Sequence, residues 1–442
     1  MSISPFDSAL YRDLFCEPEI ARLFTDSAEI RAMMLVEGCL AKAQGGLGMI
    51  PEASGAFLHR AAMEIQIDPS GLAVETGQNG IPVPALISAM RKALEAPEHA
   101  QYLHWGATSQ DIIDTGLVLR LRQALTLIEA HQARLLRGLA DLARSHANTP
   151  MAGRSYGQRA TPTSFGAVVA SWGWPHLSHL DRLHELRPRL LRVSLSGAAG
   201  TSAIFGDAAP DLRRAMAEAL GLADPGHSWH STRDGIAELA GWLTLVAGSF
   251  GKLGEDLGLL AQSDTGEVRF GAAGSSSTMP QKQNPVGASV LVALSHHIMA
   301  LNGAMQGAAL HRQQRDGAAW FTEWLSLPAM VMGVARGLSL AADLIETLEP
   351  QIDRMAQNLA DPLDLIRAEA LSFALAAHMP RPEAQAIVKT LCQEAMETGT
   401  PLSALLARDH PGLELTLADP LGQAPVEARD FAAAVSRLPE DA

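Results

Sequence analysis

The stretch DIIDTGLVLRLRQALTLIEAHQARLLRGLADLARSH, residues 111–146, decides the fold class of this chain. Leucine, isoleucine and alanine recur in it at intervals of three and four residues, the pattern of a helix that buries one face. Such a helix is much longer than the average of about 11–12 residues in globular proteins. Pro162 and Pro328 suit helix starts in further patterns of this kind, which cover residues 162–186, 234–262, 286–309 and 328–348. We therefore predict an all-α protein with a bundle of long helices.

The 442 residues, of which 47% are apolar, are too many for a single core. A shorter helix at 27–47, with Ser27 as its N-cap, precedes the long ones, and Asp361-Pro362 interrupts the helical pattern after them. Because the long helices are apolar on more than one side, we expect them to pack against other copies of the chain as well. The predicted domains are an N-terminal helical domain at 1–103, a central long-helix bundle at 104–350 and a C-terminal helical domain at 351–442.

The formal net charge of −14 at pH 7 argues against a basic surface for nucleic acid or an anionic membrane. The three cysteines have no C-x-x-C spacing, which predicts reduced thiols and neither a disulfide framework nor a zinc site. The first residues lack the basic and apolar regions of an export signal, and the apolar run at 243–250 is too short to span a bilayer. We therefore expect a cytoplasmic protein with no nucleic-acid or membrane partner.

The most informative stretch is GAAGSSSTMPQKQNP, residues 271–285. Its glycines and serines predict a mobile loop rich in hydroxyl groups, and Lys282 and Asn284 precede a proline that begins the next helix. A lysine, an amide and free backbone N–H groups at a helix start together favour an anion, over which the loop can close. The alternative is an ordinary Gly/Ser connector with a solvated lysine. Nucleotide binding is disfavoured, because neither G-x-x-x-x-G-K-[ST] nor a strand-embedded G-x-G-x-x-G is present.

Three blocks of the sequence resemble the signatures of the fumarase/aspartase superfamily. They are SSTMPQKQNP at 276–285, HWGATSQDIIDT at 104–115, and GRSYGQ at 153–158 followed by TPT at 161–163. The blocks keep the order and spacing of the family. The resemblance implies a three-domain, all-α homotetramer in which three subunits build each active site. It also implies a small polycarboxylate substrate and no metal ion or organic cofactor.

The site residues are also implied by this resemblance. Ser277 matches the catalytic serine of the flexible loop, while Lys282 and Asn284 match ligands of the substrate carboxylates. We predict Ser277, Lys282 and Arg315 as catalytic residues, and as substrate-binding residues His104, Thr108, Ser109, Arg154, Tyr156, Gln158, Ser276, Met279 and Asn284. Arg315 would clamp a carboxylate in bidentate geometry. The alternative for Arg315 is an exposed arginine that pairs with Asp316 or Glu323.

The chain departs from the superfamily pattern at positions that carry acid–base chemistry. Lyases of the superfamily have a histidine where this chain has Tyr156, and a glutamate seven positions after the signature lysine, where it has Ser289. Asn79 lies in the region of a further family histidine, and Ser275 replaces the leading glycine of the signature. The missing histidine and glutamate form the general-acid pair of those lyases, so their joint loss predicts a changed reaction. Tyr156 either shapes the pocket or donates its hydroxyl, and His104 either contacts the substrate or only packs.

The nature of the leaving group explains how the general acid can be absent. Expulsion of an amine needs a delivered proton, whereas a carboxylate leaves as a stable anion because its conjugate acid has a pKa of about 4. The chain also resembles the muconate-lactonising cycloisomerases of the superfamily at residues 14–48, Trp229-His230, Arg233-Asp234 and 315–325. We therefore predict a cycloisomerase that adds a carboxylate of a carboxymuconate across a double bond of the same molecule. Ser277 or Lys282 would donate the proton.

Other activities are consistent with the same sequence. A lyase would release fumarate from an adenylosuccinate- or argininosuccinate-type substrate, although Tyr156 and Ser289 disfavour it. A cycloisomerase for a chlorinated or unsubstituted muconate also fits, since the sequence does not reveal the size of the pocket. A catalytically silent structural relative is disfavoured by the presence of Ser277, Lys282 and Asn284.

Overall fold

The computed structural model of the protein describes residues 4–271, 274, 275, 279, 282–413 and 415–439. Helices account for most of this part of the chain, which confirms the predicted all-α class. In chain order the helices are α1 (Arg12–Phe15), α2 (Pro18–Leu23), α3 (Asp26–Gly46), α4 (Glu52–Glu64), α5 (Ala73–Asn79), α6 (Val83–Leu94), α7 (Pro97–Ala100), α8 (Ser109–Ser145), α9 (Phe165–Leu190), α10 (Ala209–Leu220), α11 (Asp234–Leu260), α12 (Val286–Ala308), α13 (Gly317–Glu346), α14 (Ile352–Leu359), α15 (Ala368–Ala376), α16 (Arg381–Thr398), α17 (Leu402–Asp409) and α18 (Ala424–Val435).

The strands in the described residues are short. They are β1 (Pro150–Ser155), β2 (Gln158–Ser164), β3 (Val268–Phe270), β4 (Gly274–Ser275), β5 (Gln283–Asn284) and β6 (Leu348–Pro350). All pairs are antiparallel, β1 with β2, β3 with β6 and β4 with β5. Short 3-10 segments lie at Pro69–Leu72, Ala203–Ala208 and Leu365–Arg367, and the second is kinked at Gly206.

Three predicted helix starts are wrong. The N-cap of α3 is Thr25 rather than Ser27, because Oγ1 of Thr25 accepts a hydrogen bond from the N–H of Ala28 at 3.2 Å. Pro162 lies in β2, where it is paired with Ala152, and α9 begins after this strand. Pro328 lies inside α13, where the loss of one backbone donor costs about 3 kcal/mol or more. The helix continues through Pro328 because side chains on both sides of it are buried, among them Leu327 and Met330.

The chain divides into two compact units. Unit 1 contains Met1–Gln132, Ser178–Gly251 and Ala293–Ser339, and unit 2 contains Ala133–Leu177, Lys252–Val292 and Leu340–Ala442. The long helices α8, α9, α11, α12 and α13 contribute residues to both. The division into domains at 1–103, 104–350 and 351–442 stays a prediction.

Unit 1 has a core of aliphatic and methionine side chains from its N-terminal helices and the start of α8. Its members include Met33, Leu40, Leu58, Leu86 and Ile112. Glycines bring α3 and α4 close together, since a Cβ atom on Gly55 would lie 2.5 Å from the carbonyl oxygen of Ala41. This core supports the N-terminus of α8, where the second sequence block ends.

Unit 2 has its own core among α15, α16 and α17, which includes Leu371, Leu375, Val388, Leu391, Leu402 and Leu405. The hairpin of β1 and β2 turns at Tyr156-Gly157, where φ is 52° and 73°. Two consecutive positive φ angles are typical of a type I′ turn, whose twist matches that of the flanking strands. The hairpin carries the predicted site residues Arg154, Tyr156 and Gln158.

By length and composition alone, α12 and α13 could cross a membrane. In α13, however, 67% of the most apolar 18-residue window is buried within the protein. A buried core helix meets the same two criteria, so these helices are weak evidence for a membrane location.

Candidate active site

The buried carboxylate of Asp111 fixes the N-terminus of α8. Its Oδ2 accepts hydrogen bonds from the N–H groups of Thr108 and Gly197, each at 3.0 Å. Its Oδ1 accepts from the N–H of Ser196 at 2.8 Å and lies 2.8 Å from Nε2 of His230. One side chain therefore joins the turn before α8 to two distant segments. Because the first N–H groups of a helix lack intrahelical acceptors, this end of α8 favours an anion at Thr108 and Ser109.

His104 lies in the same turn, with a positive φ of 61°. Its Nδ1 is hydrogen-bonded to Oε1 of the buried Glu37 at 2.6 Å. Burial acts to lower the pKa of His104, but the hydrogen bond to Glu37 and the charges of Glu37 and Asp111 outweigh it and raise the pKa. The raised pKa favours the imidazolium form, which adds positive charge to the turn.

Arg315 reaches the N-terminus of α8 from the segment before α13. Its Nε donates a hydrogen bond to Oε1 of Gln110 at 2.7 Å. Its Nη2 lies 3.4 Å from Oγ1 of Thr108 and 3.4 Å from the carbonyl oxygen of Ala198. Arg315 itself is exposed. An exposed, oriented guanidinium beside a threonine hydroxyl is suited to bind a carboxylate.

The alternative pairing of Arg315 with Asp316 or Glu323 is wrong for the residues that the structure describes. Asp316 pairs with Arg312, and its Oδ1 also accepts from N–H groups in the first turn of α13. Glu323 pairs with Arg233 instead. Arg315 therefore pairs with neither of these two neighbouring carboxylates.

A buried ion network lies behind Gln110. Arg233 donates to Asp114 from Nη1 at 2.7 Å and from Nη2 at 3.2 Å. It donates to Glu323 from Nε at 2.8 Å and from Nη2 at 2.5 Å. The indole N–H of Trp320 adds a bond to Asp114 at 3.3 Å. Loss of Arg233 would leave two buried carboxylates without their cationic partner, so its bonds to Asp114 and Glu323 hold the network together.

The pKa values in this network follow from its contacts. Burial acts to raise the pKa of Glu323, but the hydrogen bonds and charges of Arg233 and His311 lower it below its usual value. Burial acts to lower the pKa of Arg233, while Asp114 and Glu323 raise it. Glu323 and Arg233 therefore stay ionised near neutral pH and serve as a charged support, not as proton donors.

In unit 2, Arg154 pairs with a buried carboxylate. Its Nη1 and Nη2 donate to the two oxygens of Glu267, each at 2.8 Å, and Nδ2 of Asn358 donates to Oε1 of the same residue at 2.9 Å. The side chain of Glu267 is fully buried and that of Arg154 is 29% exposed. Arg154 thus anchors β1, and its role as a substrate ligand stays a prediction.

The other predicted residues of unit 2 lie at the hairpin tip and around β5. Tyr156 is fully exposed at the tip, and Gln158 is exposed after the turn. Lys282 is exposed, and Asn284 is half-buried where β5 is paired with β4. Met279 is 45% exposed. Ser276 and Ser277 lie outside the described residues.

Besides Tyr156, two further positions that depart from the superfamily pattern are exposed. Ser289 lies in the first turn of α12 and donates its hydroxyl to the carbonyl oxygen of Pro285 at 3.2 Å. Asn79 is the last residue of α5. A serine that bonds to its own helix cannot replace the missing glutamate as an acid near neutral pKa.

The structure brings some of the predicted site residues together and shows further residues that hold them in place. It brings Thr108 and Arg315 together at the start of α8, where Ser109 is the first helical residue. The sequence analysis missed the supporting residues of unit 1, namely Glu37, Gln110, Asp111, Asp114, Arg233 and Glu323. The available signal was a pair of acids three residues apart, Asp111 and Asp114, at the start of an otherwise apolar helix face.

Comparison with known proteins shows the family of this chain. The model of the lyase family matches residues 16–300. A 3-carboxy-cis,cis-muconate cycloisomerase of Pseudomonas aeruginosa is 39% identical over 405 residues, which cover 90% of this chain and 88% of that protein.

Solved structures give the same picture. The 3-carboxy-cis,cis-muconate lactonizing enzyme of Pseudomonas putida is 37% identical, with a TM-score of 0.90 over 97% of this chain and 99% of that one. A fumarate lyase of Mesorhizobium sp. BNC1 is 35% identical, with a TM-score of 0.84 over 97% and 96%. The chain therefore belongs to the lyase family, the fumarase/aspartase superfamily that its three sequence blocks resemble.

Proposed function

We propose that this chain is a 3-carboxy-cis,cis-muconate cycloisomerase, which forms 4-carboxymuconolactone in the protocatechuate branch of the β-ketoadipate pathway. The single observation that carries the proposal is the exposed guanidinium of Arg315, held beside Thr108 at the start of α8. The similarity to cycloisomerases over most of the chain supports the same substrate. A cytoplasmic location fits a small soluble substrate of this kind.

The reaction does not require protonation of a leaving group. No group leaves in the lactonising direction, and in the reverse direction the carboxylate leaves as a stable anion. An oxygen of one carboxylate forms a C–O bond to a carbon of the conjugated double bond. The π electron pair of the double bond moves toward a second carboxylate. The resulting enediolate then takes a proton at its α carbon, so that one proton is consumed and no water is added. Tyr156 and Ser289, in place of the general-acid pair of lyases, are compatible with this chemistry.

The residue roles follow from the charge that develops. Lys282, Asn284 and Arg315 would stabilise the enediolate, because fixed cations and amide donors act most strongly where negative charge accumulates. Thr108 and Ser109 would bind a further carboxylate at the helix N-terminus. Ser277 is the proposed proton donor, and Lys282 is the alternative.

An ultraviolet assay tests the substrate. Purified protein mixed with 3-carboxy-cis,cis-muconate should remove the diene absorbance and take up one proton per turnover. Lys282→Ala should abolish the reaction, while Arg312→Ala, a change to an exposed arginine paired with Asp316, should not. Unchanged absorbance at saturating substrate with the wild-type protein would reject the proposal.

A fumarate-releasing lyase is the second candidate, and the similarity to the Mesorhizobium enzyme favours testing it. The same preparation should be incubated with adenylosuccinate and argininosuccinate, and fumarate should be measured. Fumarate release without muconate turnover would replace the cycloisomerase by a lyase. Activity with neither class would favour a catalytically silent relative.

A homotetramer with shared active sites is part of the proposal. The segments of α11, α12 and α13 in unit 1 carry exposed apolar side chains, among them Leu245, Met299 and Leu325, which is 80% exposed. Apolar faces of long helices are buried in subunit interfaces when the oligomer is permanent. Sedimentation of a stable 46.9 kDa monomer at micromolar concentration would contradict this part.

A further inference from the structure

Gln110 is completely buried between groups that fix the orientation of its amide. Its Nε2 lies 3.1 Å from Oδ2 of Asp114 and 2.9 Å from the carbonyl oxygen of His230. A carbonyl oxygen only accepts hydrogen bonds, and so does an ionised carboxylate. The amide nitrogen must therefore face Asp114 and His230, and Oε1 must face the opposite way, toward Arg315.

Asp114 cannot turn to release this amide. Two nitrogens of Arg233 and the indole N–H of Trp320 bind its carboxylate, and Arg233 is itself held by Glu323. The orientation of Gln110 is thus set by the buried network of Asp114, Arg233 and Glu323. The same network therefore fixes the position of Oε1 of Gln110, which accepts the 2.7 Å hydrogen bond from Nε of Arg315.

The bond to Gln110 leaves one edge of Arg315 for a ligand. Nη1 makes no hydrogen bond within the described residues, and the contacts of Nη2 with Thr108 and Ala198 are long at 3.4 Å, so a carboxylate can bind at the Nη1–Nη2 edge. An arginine side chain has about 2 kcal/mol of rotamer entropy, which is lost when substrate binds unless the side chain is ordered beforehand. A buried acceptor for Nε supplies that order.

We infer that Gln110 is a positioning residue that aims the guanidinium of Arg315 at a substrate carboxylate. The inference rests on the proposed function for the presence of that carboxylate. It adds a specific requirement, because the residue at 110 must donate to Asp114 and His230 and also accept from Arg315. Gln110 acts through Arg315 and does not touch the substrate.

The first test removes the acceptor. Gln110→Met keeps the size of the side chain, and we expect kcat/KM for the muconate to fall about 10- to 100-fold, mainly through KM, since a hydrogen bond to a charged group is lost. Gln132→Met is the matched control, because Gln132 is also completely buried on α8. That control should lower the melting temperature without raising KM.

The second test makes the donor to Asp114 and His230 depend on pH. In Gln110→Glu, a protonated carboxyl can donate to Asp114 or to the His230 carbonyl and accept from Arg315, whereas an ionised carboxylate cannot donate. Activity relative to wild type should therefore fall as pH rises, because the ionised side chain is no longer held by Asp114 and His230 and positions Arg315 less well. The ionisable groups around this position are Asp111, Asp114, His230, Arg233 and Arg315.

The third test asks whether the effect passes through Arg315. In an Arg315→Ala background, Gln110→Met should cause no further loss, so the two changes should be strongly non-additive. Additive losses would overturn the inference, as would kcat/KM of folded Gln110→Met within about twofold of wild type.

A crystal structure of Gln110→Met separates this inference from the proposed function. Arg315 should leave its position beside Thr108 in that variant. An unmoved guanidinium would overturn the inference even if the wild-type protein did not convert the muconate. Failure of the wild-type assay alone would reject only the proposed substrate.

Discussion

At the scale of single residues, Arg315 and Arg312 show how neighbouring arginines take different roles. Arg312 is 80% exposed at its side chain and pairs with Asp316 at the start of α13. Arg315 bonds instead to Gln110 and lies beside Thr108. Sequence spacing could not separate the two, because each precedes the same helix and the same acids. The partner that distinguishes them, Gln110, lies 205 residues away along the chain.

Replacement of Arg315 tests its predicted catalytic role. We expect Arg315→Ala to raise KM and lower kcat, with a loss of about 100-fold or more in kcat/KM, because a charge that pairs with substrate is removed. Arg315→Lys should recover only part of this loss, since lysine keeps the charge but lacks the Nε donor for Gln110. Steady-state kinetics on both variants and on Arg312→Ala provide the measurement. An Arg315→Ala enzyme with unchanged kcat/KM would remove this residue from the site.

The pair of His104 and Glu37 makes a prediction about pH. The folded pKa of His104 is raised above its usual value of 6.5. The contribution of the His104–Glu37 pair to the free energy of unfolding is therefore complete below pH 6.5. It is lost as pH rises through the folded pKa of His104. The free energy of unfolding of the wild type should fall as pH rises above about 6.5, the usual pKa of histidine, and Glu37→Gln should weaken this pH dependence.

Urea unfolding at several pH values measures the effect of the His104–Glu37 pair. Glu64→Gln, a change at an exposed glutamate of α4, alters the net charge equally and serves as control. If Glu37→Gln kept the full wild-type slope, the ion pair would not be its source.

At the scale of elements, the sequence predicted four of the five long helices closely, missed the first eleven residues of α13 and did not predict the hairpin at all. The predicted helix at 111–146 is observed at Ser109–Ser145, because a long apolar stripe is a strong and purely local signal. The hairpin at 150–164 has weak alternation, and a proline in β2 resembled a helix start. Its pairing depends on a turn with two positive φ angles, which Tyr156-Gly157 signals only through its glycine.

The packing of α13 against α11 in unit 1 depends on Gly337. A Cβ atom at this position would lie 2.4 Å from Cζ of the fully buried Phe250. We expect Gly337→Ala to destabilise the protein by about 1–3 kcal/mol, as overpacking does in well-packed cores. Thermal unfolding would measure it, with Gly77→Ala in α5 as control, since a Cβ there meets nothing within 4 Å. A melting temperature equal to that of the wild type would show that the core yields more easily than its packing implies.

At the scale of the whole molecule, the sequence blocks could be recognised from the sequence. The distant residues that bind them and hold them in place could not. Asp111 and Arg233 bind partners 85 to 119 residues away, and such pairings exist only in the folded chain. Ser277 lies outside the described residues, so its role stays a prediction. The lyase family itself was predicted correctly from short motifs.

Sharing of active sites between subunits predicts complementation. Arg315 lies beside Thr108 in one chain, and Lys282 would come from another subunit. Lys282→Ala and Arg315→Ala proteins, unfolded together and refolded, should be more active than either variant alone, because some mixed sites contain both intact residues. Each variant refolded alone is the control. A mixture as inactive as its components would show that one chain supplies both residues.

The exposed hairpin tip has a consequence for how new activities arise on this scaffold. Tyr156 is fully exposed on its own chain, and its main structural demand is a positive φ. Substitution of this side chain therefore costs little folding stability. Natural variants can carry different chemical groups at this position while the rest of the fold is unchanged. With Tyr156 at the predicted site, reaction type can diverge at this point faster than architecture does.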